Sequence, residues 1–423
     1  MRISVIGGGY VGLVSAACFA DMGHDINIVE IDEERVNTIN SGISPIYEKG
    51  LDELLLAHAG RALRATTGYE AVSDSDLSLI CVGTPPRPDG NSDLSMVWSA
   101  SVSIGKALQG IDGYHVVVVK STVPPGTTQS QVMPRVLKHS GLDHDRIGFV
   151  MNPEFLREGL AVQDFLEPNR IVIGSSDAKA GDLVEAAYCS LEAPIIRTGI
   201  SEAEMIKYTS NAFLATKISF SNEIGNICKR LGIDVYEVMK GVGMDPRISP
   251  LFLNAGAGFG GSCFPKDVLA LICLAESAGE NPSLLKSVID VNDHQPLRMV
   301  ELLEKKIGNL SGKRIAVLGL AFKNDTDDIR ESRSIPVIAE LKQKGADVSA
   351  YDPLANSTMK KIFSGIDYYE SAAEALKGAD ACLVMTEWPE FGLMDKEFNL
   401  MRSRVIIEGR KILKCSEVEG ICW

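Results

Sequence analysis

A short apolar run, Ile3-Ser4-Val5-Ile6, breaks into Gly7-Gly8-Gly9-Tyr10-Val11-Gly12, after which residues 13–22 resume with helical spacing. A second apolar run, residues 25–30, ends on Glu30, 18 residues beyond Gly12. No other stretch restricts the fold so tightly. With three glycines at this spacing between a strand and a helix, Gly7 makes the tight turn, Gly9 lets backbone approach a ligand, and Gly12 lets helix and strand pack closely. The helix N-terminus offers N–H groups and a positive dipole end to an anion. An acid at the end of the second strand is placed to accept hydrogen bonds from ribose hydroxyls. These features predict a dinucleotide-binding β-α-β unit. The Glu30 carboxylate favours NAD over its 2′-phosphorylated form, and Arg35 nearby pulls weakly the other way.

The alternation continues. Residues 77–82, 116–119, 147–150 and 171–174 are near-continuous apolar runs separated by helical stretches, the pattern of a parallel sheet covered on both faces. Polar residues follow each run at the strand's carboxyl end, where such sheets bind ligands. Thr84, Ser121, Thr122 and Glu158 are therefore candidates for the cofactor or active-site side, although Ser and Thr there serve equally well as helix caps. From 202 to 231 no proline intervenes and apolar residues recur at three- and four-residue steps. One helix of about 28 residues and about 42 Å is expected, long enough to join two lobes and support a dimer. It carries Lys207 and Asn211 one turn apart, a pair suited to stabilising an oxyanion or moving a proton.

Farther on, Gly256-Ala257-Gly258-Phe259-Gly260-Gly261-Ser262-Cys263-Phe264-Pro265-Lys266-Asp267 sets a cysteine at the end of four glycines. Such a stretch is not expected to build a core. Its glycines leave room for a ligand against backbone, and Lys266 is placed to favour the thiolate of Cys263, the reactive form. Residues 313–319 then open a second strand series, continued at 346–352, 381–386 and 405–408. Its first turn, Gly319-Leu320-Ala321-Phe322-Lys323, lacks the first unit's glycine pattern, so its expected ligand is a nucleotide but not a second NAD. Lys323, Arg330 and Arg410 are placed to meet phosphates or sugar hydroxyls.

Composition excludes other classes. A chain of 423 residues implies two or three domains. A net charge of −14 argues against nucleic acid or an anionic membrane as partner. No apolar run reaches the roughly 18 residues of a membrane span. The nine cysteines are scattered without a Cys-x-x-Cys pair, and the six histidines never cluster with them, so neither a metal site nor a disulfide framework is expected. The chain enters a strand at once, leaving no room for a signal peptide, and a reducing cytoplasm is the expected compartment.

Over essentially its whole length the sequence resembles the UDP-glucose/GDP-mannose dehydrogenase family. The resemblance rests on Gly7-Gly8-Gly9-Tyr10-Val11-Gly12, Lys120-Ser121-Thr122-Val123-Pro124, Asn152-Pro153-Glu154-Phe155-Leu156-Arg157-Glu158-Gly159, Glu204-Met205-Ile206-Lys207 with Asn211, the cysteine stretch, and Gly319-Leu320-Ala321-Phe322-Lys323. It implies an α/β chain: two Rossmann-like, doubly wound parallel-sheet domains joined by a long central helix and a helical middle domain. Residues 1–197 would bind NAD, 198–308 would form the central dimerisation domain with the cysteine loop, and 309–423 would hold the nucleotide sugar. Members oxidise C6 of a nucleotide sugar twice, alcohol to acid, with two NAD⁺.

Carried over by motif position, Cys263 captures the aldehyde as a thiohemiacetal and then a thioester. Lys207 acts on the C6 hydroxyl proton or its developing charge with Asn211 beside it, Asp267 and Thr122 hold the water, and Glu154 assists hydrolysis as base. The resemblance implies cofactor contacts for Gly7, Gly9, Tyr10, Val11, Gly12, Glu30, Arg35, Thr84, Ser121, Thr122, Glu158, Cys263, Lys266 and Arg330. It implies substrate contacts for Glu154, Phe155, Leu156, Arg157, Glu158, Lys207, Asn211, Phe252, Leu253, Gly256, Gly260, Phe322, Lys323 and Arg410, with Arg247 reaching the partner's substrate in a homodimer. Asp245-Pro246-Arg247 and Phe264 resemble the UDP-glucose branch. Asn222-Glu223-Ile224-Gly225-Asn226 and the tail Gly420-Ile421-Cys422-Trp423 resemble the GDP-mannose branch. Residues near the substrate outweigh a tail, which favours oxidation of UDP-glucose to UDP-glucuronate. A two-electron hydroxyacid dehydrogenase would also pair a dinucleotide domain with a Lys/Asn helix, but would need neither Cys263 nor a C-terminal α/β unit.

Overall fold

Eight strands run through the first unit, Met1–Ser210, of the computed structural model, which describes all 423 residues. They are β1 (Arg2–Ile6), β2 (Asp25–Val29), β3 (Leu63–Thr66), β4 (Leu77–Ile80), β5 (His115–Val119), β6 (Ile147–Met151), β7 (Ile171–Ser175) and β8 (Ile195–Thr198), in the order 3-2-1-4-5-6-7-8. Side chains alternate between two buried layers. Ile3, Val5, Val116 and Val118 enter one, while Ile6, Ile80, Val117 and Val119 enter the other. Both faces are apolar, which is why these strands read as unbroken hydrophobic runs. The strand order reverses beside β1, between β2 and β4, and a crevice for ligands opens at the carboxyl ends of such neighbours.

One expectation is corrected. The apolar run at 171–174 does not extend a parallel sheet, because β7 pairs antiparallel with β6, Val150 opposite Ser175 and Met151 opposite Gly174. The only helix between them, Ala161–Leu166, has six residues and spans about 9 Å. A five-residue strand is about 17 Å long, so this segment does not carry the chain back to the other end of the sheet. The chain turns at the carboxyl edge and re-enters from there, leaving residues 152–160 beside the crevice.

The long helix runs over Ile200–Leu231, 32 residues and about 48 Å, starting two residues before the expected point. The boundary between the two compact units falls inside it, after Ser210. Gly225 lies within it because a side chain there would meet Cys422 and Ala255, at 2.8 and 3.0 Å.

The second unit, Asn211–Trp423, holds the helices Val235–Gly243, Phe264–Ser277, Ser283–His294 and Leu297–Ile307 and a second sheet. Its strands are β9 (Arg314–Leu318), β10 (Asp347–Tyr351), β11 (Asp367–Tyr368), β12 (Ala381–Val384), β13 (Ile406–Glu408) and β14 (Val418–Gly420), in the order 11-10-9-12-13-14. Every pairing in this sheet is parallel. Ile315 and Val317 of β9 face one core, Ala316 and Leu318 the other. No helix of the chain is long and apolar enough to cross a membrane.

Candidate active site

In the first unit the turn after β1 has the geometry the glycines predict. Gly7 sits at φ +105°, and a Cβ on Gly12 would lie 1.9 Å from the Gly7 carbonyl oxygen. A Cβ on Gly9 would meet nothing within 4 Å, so this glycine opens onto free space at the head of the helix Tyr10–Asp21, which no side chain caps. That is a cradle for a pyrophosphate. Glu30 is buried at the end of β2, where Oε2 accepts from Gly8 N at 2.8 Å and Oε1 from Asp32 N at 3.1 Å. Each oxygen keeps a lone pair for a ribose hydroxyl. The residues present fit NAD.

Glu48, which no motif in the sequence marked, ties this turn to the edge beside β6. Its Oε2 accepts from the Tyr10 hydroxyl and from Gly159 N at 2.7 Å, and its Oε1 accepts from Ala161 N at 2.9 Å. Burial and the Glu48 carboxylate both push the Tyr10 phenol far above its ordinary range. The only sequence signal is an acid stranded between Pro45 and Gly50 ahead of a helix.

Thr84 and Ser121 neither cap helices nor leave their protons free for a ligand. Thr84 Oγ1 donates to Thr122 O at 2.9 Å and Ser121 Oγ to Val82 O at 2.7 Å, which stitches the β4 and β5 loops together. Beside them Glu154 and Lys207 form a buried ion pair, Oε1 to Nζ 2.9 Å. Glu154 Oε2 also accepts from Leu156 N at 2.6 Å. Burial alone would raise the Glu154 carboxyl, but the charge and hydrogen bond of Lys207, the Leu156 N–H and the charge of Lys120 together hold it below the usual carboxylate range. The Phe155 ring lies 5.4 Å from Lys207 Nζ and stacks under the Arg170 guanidinium at 3.7 Å. Arg157 is engaged with Asp164 at 2.6 Å, and Glu158 stands between it and Gly159.

In the second unit the cysteine loop departs from expectation. Residues 256–261 are buried, and Cys263 is exposed. Asn222 Oδ1 accepts from Gly256 N at 2.7 Å, and Gln295 Nε2 donates to Gly256 O at 2.9 Å. Asn292 bonds both the N–H and the C=O of Phe259, at 2.7 and 3.0 Å. Ala257 N donates to Gly409 O at 2.9 Å, and Arg410 Nη2 to Gly258 O at 2.6 Å. The glycines answer to packing rather than to room for a ligand. A Cβ on Gly260 would lie 2.3 Å from Glu331 O, and one on Gly261 would lie 2.8 Å from the Phe322 ring. Cys263 stands at the head of the helix Phe264–Ser277, whose N-terminal dipole favours an anion there. Lys266 does not act on the thiol alone, because its Nζ is bound to Asp267 Oδ1 at 2.5 Å. Asp267 Oδ2 accepts from Asn211 Nδ2 at 2.6 Å, so buried Asp267 links the cysteine helix to the long one.

Other expected residues divide. Leu253, expected on substrate, has its side chain in the core, which leaves its backbone to meet a ligand. Phe252 is exposed at φ +63° with its ring 6.2 Å from that of Phe264. Lys323 Nζ lies 5.8 Å from the Phe322 ring, and Arg330 pairs with Asp328 at 2.7 Å. Arg247 pairs with Asp245 at 2.6 Å and is 86% exposed. Arg410, expected on substrate, spends one nitrogen on Gly258, while its Nε lies 3.1 Å from Glu387 Oε2 without hydrogen-bond geometry.

Asp352, at the end of β10, stands where Glu30 stands in the first sheet. Its Oδ2 accepts from Leu320 N, Ala321 N and Trp388 Nε1 at 2.7, 3.0 and 3.1 Å, and its Oδ1 from Leu354 N and Ala355 N at 2.9 Å each. Saturated by protein donors, it has no place for a ribose.

Residues 1–192 match the NAD binding domain of the UDP-glucose/GDP-mannose dehydrogenase family, 201–294 its central domain, and 316–415 its UDP binding domain. The chain is 50% identical over 419 residues, 98% of its length and 97% of the relative's, to UDP-glucose 6-dehydrogenase AglM of Haloferax volcanii. Among solved structures, a UDP-glucose dehydrogenase from the hyperthermophilic archaeon Pyrobaculum islandicum superposes with a TM-score of 0.95 at 41% identity, covering 100% of this chain and 98% of that one. The UDP-D-ManNAc dehydrogenase from Pyrococcus horikoshii superposes with a TM-score of 0.88 at 30% identity, covering 100% and 99%.

Proposed function

This chain belongs to the UDP-glucose/GDP-mannose dehydrogenase family, and from that premise we propose that it oxidises C6 of UDP-glucose to the acid, giving UDP-glucuronate. The observation that carries the reading is Cys263, an exposed thiol at a helix N-terminus, at the end of a buried loop pinned by Asn222, Asn292, Gln295 and Arg410. The names of the relatives at 50% and 41% identity support UDP-glucose as the sugar nucleotide.

NAD⁺, when bound in the first unit, accepts a hydride in each of two oxidations. Lys207, fixed by Glu154, takes the proton leaving the C6 hydroxyl in the first. The Cys263 thiolate then adds to the aldehyde carbon, the carbonyl oxygen takes up a proton, and a thiohemiacetal results. Oxidation of that adduct leaves a thioester on Cys263. Water attacks its carbonyl, the C–S bond breaks, and the acid and the thiol are released. Covalent capture prevents escape of the aldehyde and divides a difficult oxidation into smaller steps. Glu154 serves as base, and Asp267 and Thr122 hold the water. Each oxygen of Glu154 and Asp267 makes one bond to protein and keeps a lone pair for it. The domain assignment 1–197, 198–308 and 309–423 belongs to the same reading.

A homodimer belongs to it as well. Phe213, Phe220, Ile227 and Leu231 leave an exposed apolar stripe along the long helix, and Arg247, exposed beside Asp245, is the residue that would reach a partner's substrate. Sedimentation as a monomer at micromolar concentration would remove this part. The cytoplasm is the compartment that suits nine cysteines held in no disulfide.

The test is NADH release on UDP-glucose, GDP-mannose and UDP-N-acetyl sugars, with stoichiometry. Two NADH per UDP-glucose and an acid product are expected. One NADH with a stable aldehyde or ketone refutes the four-electron reading. Cys263→Ser is expected to bind UDP-glucose and lose net turnover.

A further inference from the structure

The turn beside the cysteine loop carries a strained residue. Glu331 has φ +53°, a left-handed conformation that glycine takes freely and glutamate does not. Such a residue persists only where its surroundings over-determine it. Here those surroundings can be named. Arg333, buried two residues on, donates from Nε to Glu331 O at 3.0 Å and from Nη2 to Glu331 Oε2 at 3.1 Å. Its Nη1 lies 3.4 Å from Asp293 Oδ1. The turn is also tied to the loop after β9, because Ser332 Oγ and Ser334 Oγ donate to Leu320 O at 2.7 and 3.0 Å.

Ion pairing does not account for Arg333. The side chains of Glu331 and Asp293 are 61% and 63% exposed, and pairs with acids so exposed contribute little. The directed bond is the one from Nε, and its acceptor is the carbonyl whose direction the φ of Glu331 sets. That carbonyl faces the cysteine loop. A Cβ on Gly260 would lie 2.3 Å from Glu331 O, and Gly261 N donates to Arg330 O at 2.9 Å. The stem of Arg333 reaches the same loop, since a Cβ on Gly258 would lie 3.2 Å from its Cδ. Three of the loop's glycines thus lie against residues 330–333, and the last of them, Gly261, is two residues before Cys263. A return to negative φ at Glu331 would swing its carbonyl off Gly260.

We propose that Arg333 is a positioning residue for the Cys263 thiol. It holds Glu331 left-handed, which seats the backbone of residues 330 and 331 on Gly260 and Gly261, and the loop then presents the thiol in one place. Glycine at 331 would take that shape without a clamp; glutamate needs one. The inference rests on the role given to Cys263 above.

The test pairs Arg333→Met, which keeps a stem against Gly258 and loses the guanidinium contacts, with Arg333→Met/Glu331→Gly, which removes the strain that the clamp opposes. Alkylation of Cys263 by iodoacetamide needs no substrate and is followed peptide by peptide, with the exposed Cys189 of the first unit as reference. The second readout is kcat on whichever nucleotide sugar the wild type oxidises. A wild type that oxidises none refutes the proposed function, and the alkylation rates alone then decide on Arg333. In Arg333→Met the rate at Cys263 relative to Cys189 is expected to change at least about threefold, and kcat to fall about ten- to a hundredfold. Glu331→Gly in that background is expected to restore most of both. An unmoved alkylation rate in Arg333→Met overturns the proposal. So does a change that the glycine leaves uncorrected, because the backbone of residue 331 would then not be the link. Failure of Arg333→Met to fold overturns it too, because Arg333 would then hold the fold rather than the thiol.

Discussion

Glu48→Ala removes the carboxylate that ties the glycine turn to the loop beyond β6. Its oxygens serve Gly159 N, Ala161 N and the Tyr10 hydroxyl, and the residue is 5% exposed. Alanine leaves the Ala161 N–H without its acceptor, leaves the Gly159 N–H only the Tyr10 hydroxyl oxygen at 3.1 Å, and takes the acceptor from the Tyr10 O–H. An orphaned buried donor costs about 1–3 kcal/mol, and a bond to a charged acceptor contributes more than one to a neutral acceptor. Water entering the space left by the side chain recovers part of this. A net loss of about 3 kcal/mol is expected, which lowers the melting temperature of a unit this size by about 6–12 °C. Tyr10 begins the helix that would receive the pyrophosphate, so loosening it weakens NAD binding by roughly tenfold, about 1.4 kcal/mol. Glu48→Gln keeps one acceptor but turns an NH₂ toward the remaining donors, and it falls between wild type and alanine. The assays are thermal denaturation and NAD titration followed by fluorescence. A Glu48→Ala protein with wild-type melting temperature and wild-type NAD affinity would refute the reasoning.

Two further predictions follow from single contacts. His115 is buried with Nδ1 donating to Ser75 O at 2.8 Å and Nε2 accepting from Ser78 Oγ at 2.9 Å, and burial lowers its pKa to about 4. A base whose folded pKa is depressed binds fewer protons folded than unfolded between about 6.5 and 4, so stability falls as pH drops through that window, by about 3 kcal/mol in all. Urea midpoints measured from pH 7 to 4 should flatten in His115→Phe; equal pH slopes in the two proteins would rule this out. Gly260→Ala puts a Cβ against the Glu331 carbonyl and displaces the cysteine loop, so kcat is expected to fall at least about a hundredfold while NAD affinity stays unchanged, and near-normal turnover would show that the loop adapts.

The sequence by itself determined the strands and the glycine turn, because strand burial and tight turns leave local marks. Val116 to Val119 must face two apolar layers, and Gly7 and Gly12 must lack side chains, whatever lies elsewhere in the chain. The long helix was legible for the same reason. The sequence alone did not decide what polar groups far apart do for one another. Glu48 meets Gly159 across 111 residues, and nothing within a few positions of either predicts it. Asp352 matches Glu30 in place, yet only the folded second unit shows its carboxylate saturated by backbone N–H groups and the Trp388 indole. The direction of β7 was set by the length of the helix before it rather than by its own apolar pattern. Lys120 reads as one residue of a motif until the fold buries it against Asn152 and Tyr188. Local patterns report burial and backbone shape. Charge pairing, proton affinity and the fixing of the Cys263 loop depend on which distant groups the tertiary structure brings within 3 Å, because hydrogen bonds act only at that range.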